Sequence, residues 1–144
     1  MKALVPEEGS TQAMDLLREA VSSGSRLIAP AFAWAEVGTV LVKKMKAGLI
    51  TDTEATIAWD RFVSLSIDYL QDASVLQAAW DISLRYQFPT MYDASFLAVC
   101  DRVAEESRGS LEFWTADIQL VRDLGSSPPP YMKLLKGVEV RGIR

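Results

Sequence analysis

The chain alternates short apolar runs with longer segments in which apolar residues recur every three or four positions. Residues at that spacing share one face of a helix, so the longer segments predict helices. The predicted helices cover residues 11–21, 32–47, 52–63, 72–87, 91–106 and 117–124. The short runs predict strands at residues 26–30, 66–70, 111–114 and 138–140.

Polar and glycine residues at the segment ends agree with these boundaries. Thr51 precedes a helix and Glu54 follows it by three residues, a spacing that predicts a capping box. Gly48 follows the previous apolar segment, as expected at a helix C-terminus. The two helices on either side of this turn are therefore predicted to form a hairpin.

Alternating strands and helices indicate an α/β fold in which helices cover both faces of a mostly parallel sheet. We predict a three-layer sandwich with a short, mostly parallel central sheet flanked by helices. The chain has 144 residues, 49% of them hydrophobic, which is enough for one core and too little for two ordinary domains. A single domain over residues 1–144 is therefore predicted.

The composition predicts a cytoplasmic protein. No segment approaches the roughly 20 apolar residues that a membrane span requires, and the first residues run into acid and proline before a signal-peptide core could form. Cys100 is the only cysteine, so the chain can form neither an intrachain disulfide nor a thiolate zinc cluster. A reducing compartment fits that composition.

The chain contains no histidine, which excludes Ser-His-Asp and Cys-His catalysis, H-E-x-x-H metallohydrolases and zinc deaminases. General-base or metal chemistry must then come from carboxylates. The formal net charge of -4 has the wrong sign for holding nucleic acid by bulk attraction. Local basic patches would have to suffice, although each could also be an ordinary solvated face.

Three carboxylates occupy positions that point to chemistry. Glu36 lies within a largely apolar helix, where its ionised form needs a compensating cation or metal; a salt bridge or a position at the helix margin is the alternative. Asp93 and Asp117 lie near predicted helix starts, where capping is the alternative role. Asp117 also follows a strand, the position at which functional groups collect in open α/β sheets. Three carboxylates meeting there would require a hard cation such as magnesium or manganese.

The order of these motifs resembles the PIN-domain family, and within it the VapC toxins of bacterial and archaeal toxin-antitoxin pairs. The resemblance rests on Glu36 in an A-x-x-E-V-like helix, on Tyr92-Asp93-Ala94 opening an apolar helix, and on Thr115-Ala116-Asp117 after a strand. Residues 4–10 also resemble the segment that follows the first strand in those proteins. The similarity spans nearly the whole chain.

The resemblance implies a metal-dependent endoribonuclease that uses Mg2+ or Mn2+. It assigns Glu36, Asp93 and Asp117 as catalytic metal ligands, with Thr115 either in a supporting role or as a turn residue that satisfies local backbone. It also implies a VapB-like antitoxin and a homodimer as partners. Lysines on the helix of Glu36 are the expected RNA contacts, namely Lys43, Lys44 and Lys46.

One departure from the family pattern lowers the expected activity. Family members begin with a strand that ends in an aspartate, whereas Met1 here enters at the segment that follows it. The first acidic ligand and the central strand are therefore expected to be missing from this chain. Two alternatives follow: a catalytically weakened PIN-like interaction module, and a structural helical protein whose acids are caps and salt-bridge partners.

Overall fold

Six helices and four short strands follow one another in the computed structural model, which describes residues 10–108 and 110–135. The helices are α1 (Ser10–Ser22), α2 (Ala33–Lys46), α3 (Asp52–Val63), α4 (Ala73–Tyr86), α5 (Met91–Ser107) and α6 (Ile118–Asp123). The strands are β1 (Leu27–Pro30), β2 (Ile67–Leu70), β3 (Phe113–Thr115) and β4 (Met132–Leu134). A mixed α/β architecture is confirmed. No helix within the described residues is long and apolar enough to cross a bilayer.

The predicted elements agree with the observed ones except near the C-terminus. All six predicted helices are present, and β1 and β2 lie within their predicted ranges. The third strand starts at Phe113 instead of Leu111, because the ladder with β4 begins there. Strand β4 was not predicted, since only three residues pair and Lys133 and Leu134 are exposed. The strand predicted at residues 138–140 lies outside the described part of the chain.

The chain divides into two compact units, Met1–Tyr69 and Leu70–Arg144. In the first unit, β1 pairs with β2. In the second, β3 and β4 run parallel with Phe113 opposite Met132 and Thr115 opposite Leu134. The N–H of Phe113 donates to the carbonyl of Tyr131 at 2.8 Å, and the N–H of Leu135 donates to the carbonyl of Thr115 at 2.9 Å.

A helical hairpin organises the first unit, as predicted. Leu41 of α2 and Ala58 of α3 are buried together, and partly buried apolar side chains from both helices and their turn surround them: Val37, Ile50 and Trp59. The ring of Trp59 lies 3.3 Å from the position that a Cβ on Gly38 would occupy, so a glycine allows this close approach. Gly48 ends α2 in the left-handed region (φ 69°), which a glycine adopts without steric cost.

The predicted capping box is present at the start of α3. The hydroxyl of Thr51 accepts a hydrogen bond from the Glu54 N–H at 3.2 Å, and Glu54 Oε2 accepts from the Thr51 N–H at 2.8 Å. We expect Thr51→Ala to destabilise the protein by about 1 kcal/mol, because one helix-end N–H loses its acceptor. Thr51→Ser keeps the hydroxyl and should retain the stability. Urea unfolding of both variants measures the difference, and equal losses would contradict the assignment.

The second unit is built on the packing of α4 against α5. Helix α4 buries Val75, Ala79 and Ile82, and α5 buries six residues, the largest number on any helix. Two polar contacts hold α5 in place: Arg102 donates to Ser74 Oγ at 3.0 Å, and the buried Tyr131 hydroxyl donates to Asp101 Oδ1 at 2.6 Å. Helix α5 is therefore a fixed platform for the residues in its first turn.

Candidate functional site

Asp93 lies in the first turn of α5, where the chain turns sharply between two helices. Phe88 is buried just before this turn, and Thr90 occupies the N-cap without a side-chain cap hydrogen bond. Asp93 is half-buried, and Ala94 after it is fully buried. The apolar packing of α5 therefore holds a carboxylate at the edge of the core of the second unit.

Burial and two neighbouring acids raise the pKa of Asp93. Loss of hydration contributes most, and the negative charges of Asp117 and Asp123 add to it. No hydrogen-bond donor or cation among the described residues offsets these effects. Two of the three carboxylates proposed from the sequence, Asp93 and Asp117, therefore lie within each other's electrostatic field.

Asp123, the third acid in this group, was missed in the sequence. It ends α6, and its Oδ1 accepts from the Gln119 side chain at 2.7 Å. Six residues after Asp117 are about 1.7 helical turns, so the two positions lie about 120° apart around α6 and the spacing does not place them on one side of it. No local signal in the sequence therefore marked Asp123, because the last turn of a helix commonly carries exposed charges.

Asp117 caps α6, as the alternative reading of this residue expects. Its Oδ1 accepts from the backbone N–H groups of Gln119 at 2.9 Å and Leu120 at 3.1 Å. Within the described residues no donor contacts Oδ2. One oxygen of Asp117 is therefore committed to the helix start, and the other remains available as a ligand atom.

Thr115 supports Asp117 through the backbone. Thr115 is buried, and its Oγ1 accepts a hydrogen bond from the Asp117 N–H at 3.0 Å. Because Thr115 is also paired with Leu134 in the parallel ladder, the turn that carries Asp117 is tied to the sheet. The hydroxyl thus accepts a hydrogen bond from the backbone of the turn, which is the alternative role predicted for Thr115. This bond helps to position the Asp117 carboxylate.

Glu36 and the three lysines lie in the first unit, on α2. Glu36 is half-buried in the first turn, and its N–H donates to the carbonyl of Phe32 at 3.2 Å. Lys43 and Lys46 are exposed in the last turn, whereas Lys44 is partly buried. Cations there also interact favourably with the helix dipole, which is a purely structural reason for their position. A joint site of Glu36 with Asp93 and Asp117 stays a prediction.

The described residues contain no group of three or more Cys, Asp or Glu side chains arranged to hold a metal ion. Magnesium commonly uses only one or two protein carboxylates and completes its shell with waters and substrate phosphates. A metal site formed by Glu36, Asp93 and Asp117 together stays a prediction.

The raised pKa of Asp93 predicts a pH-dependent stability. The folded state holds the proton of Asp93 more tightly than the unfolded state, so protonated Asp93 stabilises the fold fully at low pH. This stabilisation is lost as pH rises through the pKa that Asp93 has in the folded protein. We therefore expect Asp93→Asn to be more stable than the wild type at pH 7 in metal-free buffer. The advantage should shrink toward about pH 4, near the ordinary aspartate pKa.

Asp72 provides a matched control with the opposite sign. It caps α4, and hydrogen bonds from Ser74 and Val75 lower its pKa. Ionised Asp72 therefore stabilises the fold at pH values above the pKa that it has in the unfolded chain, and this stabilisation is lost as pH falls through its pKa in the folded protein. We expect Asp72→Asn to be less stable than the wild type at pH 7. Urea unfolding at several pH values compares the two variants. The same sign for both would contradict the assigned environments.

A scan of the chain against protein-family models and a search of curated proteins each found no match. The environment of Asp93 and its acidic neighbours is therefore the feature of the chain that bears on function.

Proposed function

We propose that the chain is a metal-dependent endoribonuclease similar to VapC toxins. In this proposal Glu36, Asp93 and Asp117 are the ligands of a magnesium or manganese ion, and the substrate is RNA. The fold in this proposal is the three-layer sandwich of a PIN-like domain. The environment of Asp93 is the observation that carries the proposal.

A half-buried carboxyl among like charges is a destabilising arrangement. Burial and the charges of Asp117 and Asp123 all disfavour the ionised form of Asp93, and no described residue compensates for them. Proteins tolerate such groups mainly at functional sites, where the perturbed group binds a cation or transfers a proton. A bound divalent cation would reverse the effect, because the same three negative charges would then attract it.

The donor atoms suit a hard divalent cation. The side chains are all carboxylates, which magnesium and manganese prefer over the nitrogen and sulfur ligands that zinc favours. Cys100, the one thiol, is buried and burial raises its pKa to about 12, so it remains a neutral thiol. The described donor set therefore fits magnesium or manganese better than a softer metal.

Each residue would have a separate part in RNA cleavage. When bound, the metal would polarise the scissile phosphate and acidify an attacking water. Asp93 would contribute a carboxylate oxygen to the metal and accept a proton from the attacking water. With the cation bound, its pKa would no longer be raised. Asp117 would contribute Oδ2 while Oδ1 stays on the α6 backbone, and Thr115 would keep that carboxylate in position.

Binding of RNA and of a protein partner completes the proposal. Lys43 and Lys46 have no ion-pair partner among the described residues, so their charges are open to phosphate groups; the salt dependence of RNA binding measures that contribution. Lys44 would add to the same end of α2. A VapB-like antitoxin would cover the acidic site, and a homodimer is the proposed assembly.

Metal binding is tested by its effect on stability. A ligand that binds only the folded state at about 100 times its Kd adds about 2.7 kcal/mol to the free energy of unfolding. We expect the wild type to gain stability with Mn2+ or Mg2+ and Asp93→Asn to gain little, so the order of the two proteins should reverse on adding metal. Asp72→Asn should respond like the wild type. Equal gains for all three proteins would contradict a site at Asp93.

A catalytically weakened PIN-like interaction module is the second candidate. It is favoured by the formal net charge of -4, which has the wrong sign for holding RNA by bulk attraction. This module would retain the fold and a protein partner without cleaving RNA. Metal binding at Asp93 without any RNA cleavage would support it over the nuclease.

A further inference from the structure

A short segment near the end of the described chain pairs with β3 in the second unit. It runs from Pro128 to Leu135, and we call it the strap. Three consecutive prolines open the strap, and strand β4 forms its middle. Because each proline ring fixes its own φ, the start of the strap loses little conformational freedom when it is held in place.

Two buried side chains flank β4 and anchor the strap. Tyr131 is 8% exposed and Leu135 is 6% exposed, whereas β4 itself leaves Lys133 and Leu134 at the surface. A pair of strands only three residues long is marginal by itself. The two anchors therefore decide whether the strap stays on β3.

The hydroxyl of Tyr131 attaches the strap to α5. It donates to Asp101 Oδ1 at 2.6 Å, a length typical of a strong bond to a charged acceptor. Burial and then the bond to Asp101 raise the pKa of Tyr131, so the hydroxyl keeps its proton and remains the donor. Asp101 lies about two turns after Asp93 on the same helix.

The strap also holds the turn that carries Asp117. The N–H of Leu135 donates to the carbonyl of Thr115 at 2.9 Å. Thr115 in turn accepts a hydrogen bond from the Asp117 N–H through its Oγ1 at 3.0 Å. Because Ala116 alone separates Thr115 from Asp117, a shift of the strap is transmitted to the backbone of Asp117.

The start of β3 has a separate contact with α5. The rings of Phe96 on α5 and Phe113 on β3 stack with their centroids 6.2 Å apart. This contact lies two residues before Thr115 and does not involve the Tyr131 hydroxyl. Loss of that hydroxyl should therefore leave the start of β3 on α5 and loosen the end that leads to Asp117.

We propose that Tyr131 is a positioning residue for Asp117. Its bond to Asp101 holds the strap on α5, and the strap holds Thr115 and the turn after it. Because α5 also carries Asp93, this bond sets the spacing of the two carboxylates. The inference concerns the protein without metal; its consequence for metal binding rests on the proposed function, in which both carboxylates are ligands.

Amide hydrogen exchange of the full chain tests this coupling. Tyr131→Phe keeps the ring and removes only the hydroxyl, so the Leu135 N–H should exchange about 10–100-fold faster than in the wild type. The Asp117 N–H should also exchange faster, because its acceptor lies on the loosened end of β3. The N–H of Phe88, which donates to the Ser83 carbonyl in the same unit, should change much less. Equal acceleration at all of these amides would mean only a loss of global stability and would overturn the proposal.

Substitutions at Asp101 test the same bond from its acceptor, which is exposed and outside the core. Asp101→Asn keeps an oxygen acceptor and should retain most of the protection, whereas Asp101→Ala should match Tyr131→Phe. Combining Asp101→Ala with Tyr131→Phe should add nothing, because both remove one bond. Tyr69→Phe is the matched control, since Tyr69 on β2 is 42% exposed and loses the same hydroxyl; it should exchange like the wild type.

Titration with Mn2+ distinguishes failure of this inference from failure of the proposed function. If the proposed site binds the metal, the Kd of Tyr131→Phe for Mn2+ should be about 10-fold higher than that of Tyr69→Phe. The expected exchange pattern in a protein that binds no Mn2+ would support the positioning role and contradict the metal site. Unchanged exchange of the Asp117 N–H in Tyr131→Phe, or equal rates in Asp101→Asn and Asp101→Ala, would overturn the positioning role.

Discussion

RNA cleavage by Asp93→Asn is expected to fall by about 10²–10⁴-fold relative to the wild type, with the fold retained. The substitution removes the carboxylate that would bind the metal and accept a proton, while the amide occupies nearly the same volume. The raised pKa indicates that the unliganded protein is destabilised by this charge, so loss of activity should accompany a gain in metal-free stability. Initial rates on an RNA substrate with Mg2+ or Mn2+ measure the effect.

Controls separate loss of chemistry from loss of structure. Asp72→Asn replaces another helix-capping carboxylate of the same unit and should cleave like the wild type. Asp117→Asn is informative in its own right, because asparagine caps a helix nearly as well as aspartate. It should keep the α6 start and lose activity if Asp117 binds metal. Undiminished cleavage by Asp93→Asn would remove the proposed site.

Leu97→Ala should have the largest effect on stability, a loss of about 2–5 kcal/mol. Leu97 is the largest side chain that is essentially fully buried, at 2% exposure, and it lies at the centre of α5. Truncation removes buried apolar surface and leaves a cavity that rigid helix packing can only partly fill. Because native proteins are stable by only about 5–15 kcal/mol, this loss is a large fraction of the total.

Leu49→Ala is the matched control for that substitution. Leu49 is 70% exposed just after Gly48, so the same truncation removes little buried surface. Its effect should stay within about 0.5 kcal/mol. Urea unfolding measures both variants, and a similar loss for Leu49→Ala and Leu97→Ala would contradict the assigned core.

Local signals in the sequence predicted the helices well, because each start and end depends on neighbouring residues. The capping box of Thr51 and Glu54 illustrates this: the hydroxyl, the carboxylate and the N–H groups they satisfy all lie within four residues. Gly48 is a second case, since glycine adopts a positive φ, here 69°, without steric cost. The ends at Gln87 and Arg108 also adopt the left-handed region, although neither residue favours it.

Strand β4 shows where local signals fail. Met132, Lys133 and Leu134 alternate apolar and polar over only three residues, which is too short a run to mark a strand. Their conformation depends on pairing with β3, about 19 residues away in sequence. The environment of Asp93 is similar, because it depends on Asp117 and Asp123, which are distant in sequence. The capping role of Asp117, by contrast, was one of the two roles that the sequence predicted for it.

By itself, the sequence determined the helices with most of their boundaries, the mixed α/β class, and the exclusion of histidine-dependent chemistry in a chain without histidine. These features follow from backbone preferences and side-chain chemistry, which act over a few residues. Only the tertiary structure decided that Asp93 is half-buried near Asp117 and Asp123, and that β4 exists. Burial and electrostatic interaction depend on distances in space, and those arise only when α5, β3 and α6 pack together.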